Sequence, residues 1–450
     1  MDLISLLRGI FGIVLLLGIA FLLSNNKKRI NWKLVFSGLG LQVVFAILII
    51  KGDVLGSYFA PFGWIKTFFA WISSFFVIIL NFTTEGARFV FGDLALSPNT
   101  EGSMGMFFAF QVLPTIIFFA SLMAILYHLG IMQKIVQGMA WVMAKILGTS
   151  GAESLSATAN IFVGQTEAPL MIKPFIKGMT NSELLTVMVG GMATVAGGVM
   201  AAYIQILSQA FADVMGLSIN DAQLLFATHL LGASVMAAPA GLILSKIIFP
   251  ETKEPETKGS VKVNVEKTSS NVIEAAAFGA AEGLKLALNV GAMLIAFIAL
   301  IALTNYVLEG VGNIAGINSF LIAQYGKPLN LQFILGYFLQ FLAYGIGVPW
   351  EGALHFGSLF GTKLVLNEFV AYFDLSSLIE AKELLDEKTI LMATYALCGF
   401  ANFSSIAIQI GGISPLAPER KSDLAKLGLR AVAGGALATL MTATLAGILF

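Results

Sequence analysis

Eight stretches of this chain, residues 5 to 24, 32 to 50, 105 to 128, 181 to 208, 222 to 249, 280 to 307, 389 to 414 and 426 to 450, are predominantly apolar. Each runs for about 20 residues or more, the length a helix needs to cross a bilayer. Hydrocarbon offers no water to an open backbone, so these stretches must be helices that close their own hydrogen bonds. Of 450 residues, 57% are hydrophobic and only 12% charged, with a mean hydropathy of +0.87. That is more apolar surface than one soluble core can bury, so the chain reads as an all-α integral membrane protein. Its 26 basic and 26 acidic side chains cancel and form no basic stripe, which argues against nucleic acid as a partner. Cys398, the single cysteine, excludes an intramolecular disulfide or a Cys-ligated cluster. The segment LLRGIFGIVLLLGIAFLL is followed by SNNKKR without a small-residue cleavage site, and is expected to be a retained helix.

Three further regions do not read as simple spans. The aromatic run YFAPFGWIKTFFAWISSFFVIIL, interrupted by Lys66, is expected to lie along the membrane interface. Residues 148 to 178 and 347 to 380 are only patchily apolar and carry charges at their centres. The side on which short loops collect Lys and Arg decides how these two are threaded. With the N-terminus outside and both regions as re-entrant hairpins, the inside loops collect four basic groups of residues. They are Lys27 to Arg29; Lys134, Lys145, Lys173 and Lys177; Lys253, Lys258, Lys262 and Lys267; and Arg420, Lys421, Lys426 and Arg430. The outside loop FADVMGLSIND has no basic residue, and DLSSLIEAKELLDEK is mainly acidic. A full crossing by either region would move the Arg420 to Arg430 cluster to the wrong side. Both termini are therefore expected outside.

The same order of parts occurs twice. Residues 105 to 250 give a span, a helix at 132 to 146, the hairpin 148 to 178 and two spans; residues 273 to 450 give a span, a helix at 331 to 346, the hairpin 347 to 380 and two spans. Residues 1 to 104 precede the first unit, and 251 to 272 form an inside loop between the two. The first unit begins outside and the second inside, an inverted repeat. The expected fold has about eight transmembrane helices plus two re-entrant helical hairpins and two discontinuous helices. Such repeats mark transporters, whose site lies between the halves near the midplane.

The first hairpin contains GQTEAP, Gly164 to Pro169. On a regular helix Gln165, Thr166 and Glu167 would point about 100° apart. Gly164 permits an irregular turn and Pro169 biases Ala168 out of helical geometry, so the backbone is expected to open there. Open backbone at membrane depth is tolerated only where protein or a wet cavity satisfies it. The second hairpin repeats the device in LNEFVAY, with Asn367 and Glu368. The spans that follow look interrupted as well. Gly190, Gly191, Gly197 and Gly198 bracket Thr194, while Gly399, Gly411 and Gly412 bracket Asn402, Ser404 and Ser405. Two tips and two interrupted spans would converge on one polar chamber containing two carboxylates.

GQTEAP, GTKLVLNEFVAY and CGFANFSSIAIQIGG, in this order, resemble the signatures of the concentrative nucleoside transporters, from about Trp32 to the end of the chain. The resemblance is to bacterial-type members and implies inward, cation-coupled transport of nucleosides of the uridine, cytidine or adenosine type. It implies no enzyme activity and no cofactor beyond a coupling ion, sodium or alternatively a proton. It also implies a homotrimer in the plasma membrane, the inner membrane of a bacterium, in which mobile domains move like elevators against a scaffold that includes residues 1 to 104. Carried over by motif, Gln165, Thr166 and Glu167 would hold the nucleobase with Val199 as an apolar wall. Glu368, Asn402 and Ser405 would hold the ribose hydroxyls, with Phe400 lining that side. The sodium site would comprise the side chains of Asn160 and Thr194 and the carbonyls of Val163 and Val195.

The residue chemistry fits such a substrate. One carboxylate can accept from two vicinal ribose hydroxyls, and charge-assisted bonds are about twice as strong as neutral ones. An amide such as Gln165 matches the donors and acceptors of a base edge. Sodium takes hard oxygen ligands of the kind that broken helices expose. Bland alternatives exist for each residue: Glu167 and Glu368 can be structural carboxylates at helix N-termini, Asn402 a packing residue, and Thr166 and Ser405 hydroxyls bonded to their own helices. His128, His229 and His355 are scattered and expected to pack or rim cavities. No His-Glu-x-x-His or Gly-x-Ser-x-Gly motif suggests an embedded enzyme. A pore would not need paired groups suited to one solute. A free nucleobase would leave Glu368, Asn402 and Ser405 unpaired, and a nucleotide would meet carboxylates and no Arg cluster.

Overall fold

A computed structural model describes residues 3–58, 60–96, 100–259, 269–314 and 316–450. Lys262 and Lys267, with the stretch 260–268 of the inside loop, lie outside the described residues. In chain order the α-helices are α1 (Leu3–Leu22), α2 (Trp32–Ile50), α3 (Gly52–Tyr58), α4 (Ala60–Phe91), α5 (Phe108–Gln111) and α6 (Leu113–His128). There follow α7 (Ile131–Leu147), α8 (Gly151–Ala159), α9 (Lys173–Ile176), α10 (Asn181–Ala193), α11 (Gly197–Met215) and α12 (Ile219–Ile248). The second half has α13 (Val272–Ile314), α14 (Ile317–Tyr325), α15 (Leu331–Gly345), α16 (Trp350–Val365), α17 (Glu368–Glu380), α18 (Glu387–Leu397), α19 (Phe403–Ile413) and α20 (Lys421–Leu449).

By length and composition alone, eight described helices could cross a membrane. They sort by burial. The spans α10/α11, α12 and α20 are enclosed by protein, whereas α1, α2, α4, α6 and α13 turn most of their surface outward. From Leu230 to Ile248 every residue of α12 is buried, so other helices surround it there. The inner helices therefore form a core that the outer ones shield from lipid.

Local chemistry sets the breaks and the starts. Ser150 and Glu153 form a capping box at α8, and Thr180 and Glu183 form another at α10. Lys246, near the end of α12, ties both together, with Nζ 2.7 Å from Glu153 Oε2 and donating to Ser182 Oγ at 2.9 Å. Arg420, just before α20, donates to the carbonyls of Lys177 at 3.1 Å and Met179 at 2.5 Å. The hairpin is thereby clamped where it re-emerges.

The two hairpins are built differently. In the second, α16 and α17 are both regular helices. In the first, α8 is followed by turns, a 3-10 helix over Ala168–Ile172 and the single turn α9, because Pro169 and Pro174 remove amide donors from the return limb. The expected span 280 to 307 is the centre of a 43-residue helix, and α14 had no signal in the sequence reading.

The 32-residue α4 is about 48 Å long, enough to cross a bilayer. The Asn25 amide bonds to the Ile248 carbonyl at 3.0 Å, which sets the start of α2 beside the end of α12. His128 Nδ1 lies 3.0 Å from Ser269 Oγ, which sets the end of α6 beside the start of α13. The α4 helix starts from the far end of α2, and its own end meets the start of α6, where Phe91 packs on Phe110 at 5.1 Å between ring centroids. Gln111 Nε2 adds a bond to the Leu96 carbonyl at 2.8 Å. Trp64, Phe68, Trp71 and Phe75 turn outward along α4.

Candidate functional site

The two interrupted spans meet at their breaks. In the first, α10 stops at Ala193 and α11 begins at Gly197; in the second, α18 stops at Leu397 and α19 begins at Phe403. The Phe400 amide donates to the Thr194 carbonyl at 3.3 Å, joining one break to the other. Gly399 is needed here because a Cβ would lie 2.9 Å from the Met192 carbonyl oxygen. The first hairpin tip joins in through the Gly197 amide, which donates to the Phe162 carbonyl at 3.1 Å. Helix C-termini with partial negative charge and helix N-termini with partial positive charge are thus gathered at one depth.

A continuous set of buried hydrogen bonds runs through this junction. Gln165 Nε2 donates to Ser405 Oγ at 3.1 Å, and the Ser405 amide donates to Asn402 Oδ1 at 2.8 Å. Asn402 caps α19 with that oxygen and uses its Nδ2 to reach Glu368 Oε2 at 3.0 Å. Tyr203 of α11 donates its hydroxyl to Glu368 Oε1 at 2.9 Å. The carboxylate is therefore held from both sides, and both oxygens keep further lone pairs for a ligand. Asn367 caps α17, its Oδ1 accepting from the Val370 amide at 3.0 Å, so Glu368 stands in the first turn of a helix.

Of the expected substrate residues, Gln165, Glu368, Asn402 and Ser405 are brought together in this way. Thr166 lies beside them against Gly412, where an added Cβ would come within 2.6 Å of its Cγ2. Val199 is buried in the first turn of α11, and Phe400 is half-buried beside the breaks. Glu167 stays apart: it is exposed and turns back on its own loop, where Oε2 accepts from the Gly164 amide at 3.3 Å.

The expected cation ligands lie where α8 and α10 end. Asn160 Nδ2 donates to the Ser156 carbonyl at 2.9 Å, while Asn160 Oδ1 is buried without a hydrogen-bond partner. Thr194 Oγ1 gives its proton to the Gly190 carbonyl at 2.9 Å and keeps its lone pairs. Among the described residues, no hydrogen bond reaches the carbonyls of Val163 or Val195. Asn160 Oδ1, Thr194 Oγ1 and the two carbonyls are oxygens of the kind that a hard cation takes.

Three residues escaped the sequence reading. Gln409 Nε2 donates to Gln165 Oε1 at 3.0 Å and to the Met188 carbonyl at 2.9 Å, fixing which way the Gln165 amide faces. Tyr203 stacks on Tyr372 at 4.2 Å and looks like packing until its hydroxyl partner is known. Lys363 is fully buried in α16. Its signal was available, since a lysine four residues before an asparagine-glutamate pair is a charge inside an intramembrane hairpin. Of the three histidines, His229 reaches Tyr395 Oη at 3.3 Å, and His355 lines a cavity of about 340 Å³ between α15 and the second hairpin.

Comparison with known proteins identifies the family. The family described as "Na+ dependent nucleoside transporter C-terminus" matches residues 229–447, its N-terminal counterpart residues 11–94, and "Gate: Nucleoside recognition" residues 109–210. An uncharacterized transporter of Haemophilus influenzae is 46% identical over 99% of this chain and 98% of its own length. Sodium/nucleoside cotransporter 1 of Mus musculus is 38% identical over 98% of this chain, which spans 63% of that longer protein. The solved structure of CNTnw in an inward-facing substrate-bound state superposes with a TM-score of 0.84 at 40% identity, covering 98% of both chains. This chain belongs to the concentrative nucleoside transporter family.

Proposed function

We propose that this protein carries nucleosides across the membrane by alternating access, coupled to sodium, with the substrate held between the hairpin tips and the two helix breaks. The buried chain of bonds from Gln165 through Ser405 and Asn402 to Glu368 carries the proposal, since it offers an amide at one end and a carboxylate at the other. A nucleobase edge pairs with the Gln165 amide, with Thr166 beside it and Val199 and Phe400 as apolar walls; Glu167 joins them only once it turns in from its own loop. The ribose hydroxyls donate to Glu368 and exchange bonds with Asn402 and Ser405. Sodium sits among Asn160, Thr194 and the carbonyls of Val163 and Val195, where it neutralises the C-terminal end of α10. Opening of a hairpin tip breaks the Gln165–Ser405 bond, so release of substrate and movement of the tip are linked.

Uridine, cytidine and adenosine are the substrate class proposed, with a homotrimer in the bacterial inner membrane and both termini outside. Coupling to protons is the competing scheme, favoured by the carboxylates at the site. The test is uptake of labelled uridine into proteoliposomes under an imposed sodium gradient, with a proton gradient of equal size as the comparison. Uptake that saturates and follows sodium supports the proposal. Uptake driven by protons alone would replace the ion, and uptake that never saturates would replace the carrier with a pore.

A further inference from the structure

The second repeat contains a cation of its own. Lys363 lies two residues before the end of α16 and has no exposed surface. Its Nζ donates to the Ala396 carbonyl at 2.7 Å and to Thr439 Oγ1 at 3.1 Å, and it stands 5.5 Å from the centre of the Phe360 ring. Thr439 gives its own proton to the Ala436 carbonyl at 3.1 Å, so it presents lone pairs to the ammonium. Among the described residues, no carboxylate lies within ion-pair distance of Nζ. A buried charge without an ion-pair partner is costly, and a methionine would fill the same space without that cost. Retaining the charge therefore calls for a reason.

The repeat supplies one. Ala396 is the next-to-last residue of α18, so the ammonium faces the partially negative C-terminal end of a broken helix. In the first repeat the corresponding place is the end of α10, reached from the hairpin helix α8 by Asn160, whose Nδ2 lies against Gly190. There the groups turned inward are oxygens without protons to give: Asn160 Oδ1, Thr194 Oγ1 and two carbonyls. Both hairpin helices thus end against the C-terminus of the broken helix of their own repeat. One brings ligands for a cation, and the other brings the cation.

We propose that Lys363 is a tethered cation: its ammonium occupies in the second repeat the position that the coupling ion takes in the first, so one free cation accompanies each substrate. This rests on the sodium site proposed above. Lys363 is a positioning residue, acting through the end of α18, whose break leads directly to Asn402 and Ser405, and through the field at Glu368 across the hairpin tip.

The test is equilibrium binding of uridine to the purified protein at several sodium concentrations and constant ionic strength. In the unaltered protein the logarithm of affinity should rise with the logarithm of sodium at a slope of about one. Lys363→Met should lower uridine affinity by about tenfold or more with no rescue by any cation, because the seat is filled but uncharged. Lys363→Ala opens the seat: affinity should fall similarly and be restored by methylammonium, or by sodium with a slope approaching about two. Uridine affinity unchanged in Lys363→Met, or a Lys363→Ala loss that neither cation repairs, would overturn the proposal. Should neither variant fold, Thr439→Val removes one of the two acceptors and should weaken uridine binding; unchanged binding there is equally contrary. Failure of the sodium site itself is separable, because it would remove the sodium slope of the unaltered protein and leave methylammonium rescue intact.

Discussion

Replacing Glu368 by glutamine tests the ribose assignment with little disturbance of the fold. The carboxylate accepts from Tyr203 at 2.9 Å and from Asn402 at 3.0 Å. In Glu368→Gln the new carbonyl oxygen must face Asn402, because Asn402 is committed as a donor there while its Oδ1 caps the Ser405 amide. The new amide then faces the Tyr203 hydroxyl, which can accept instead of donate. Both neighbours stay bonded, so the loss falls on the ligand. A hydrogen bond to a charged group contributes about 1.5–3 kcal/mol and a neutral one about 0.5–1.5, a difference of about 1–1.5 kcal/mol for each hydroxyl. Two vicinal hydroxyls give about 2–3 kcal/mol, a weakening of uridine by about 30- to 150-fold. 2′-Deoxyuridine retains one of the pair and should weaken only about tenfold. Calorimetric titration of both ligands against both proteins measures the difference. Equal losses for the two nucleosides would refute the reasoning and move the hydroxyls away from Glu368.

Tyr203→Phe keeps the ring stacked on Tyr372 and edge-on to Phe369 but removes a donor to Glu368, so uridine binding should weaken about tenfold while thermal stability is retained; unaltered affinity would make Tyr203 a packing residue. Asn160→Ala removes an oxygen from the proposed cation site, a contact comparable to a charge-assisted bond of about 1.5–3 kcal/mol, and should raise the sodium concentration for half-maximal uridine binding by about ten- to 150-fold. The same half-saturation in both proteins would place the ion elsewhere. Lys246→Met leaves Glu153 buried without its ion partner and should cost about 3–5 kcal/mol, read as a lower unfolding midpoint in detergent; an unchanged midpoint would show that the paired capping boxes hold without it.

Much of this architecture was legible because lipid penalises what water forgives. A charge in the middle of an apolar region, such as Glu167 or Glu368, needs a structural excuse, and the hairpins follow from it. Glycine and proline then locate the openings, and α7 and α15 appear within a residue of where the repeat required them. What remained hidden depends on partners distant in sequence. The hydroxyl of Tyr203 reaches a residue 165 positions away, and the Gln409 amide reaches one 244 positions away. Neither is distinguishable from packing or lipid-facing polarity by spacing alone. The return limb of the first hairpin differs from its counterpart because two prolines fall in it, which the sequence displays but the assumption of matching repeats obscures.

If one buried chamber binds a nucleoside and a sodium ion at Asn160 and Thr194 prepares it, nucleoside binding must need sodium. The decisive measurement is calorimetric or fluorescence binding of uridine to the purified protein, in sodium and then in choline at matched ionic strength. Binding should saturate in sodium and be lost in choline. Binding of equal strength in both would contradict the sodium site, and absence of binding by uridine, adenosine and inosine alike would contradict the chamber itself.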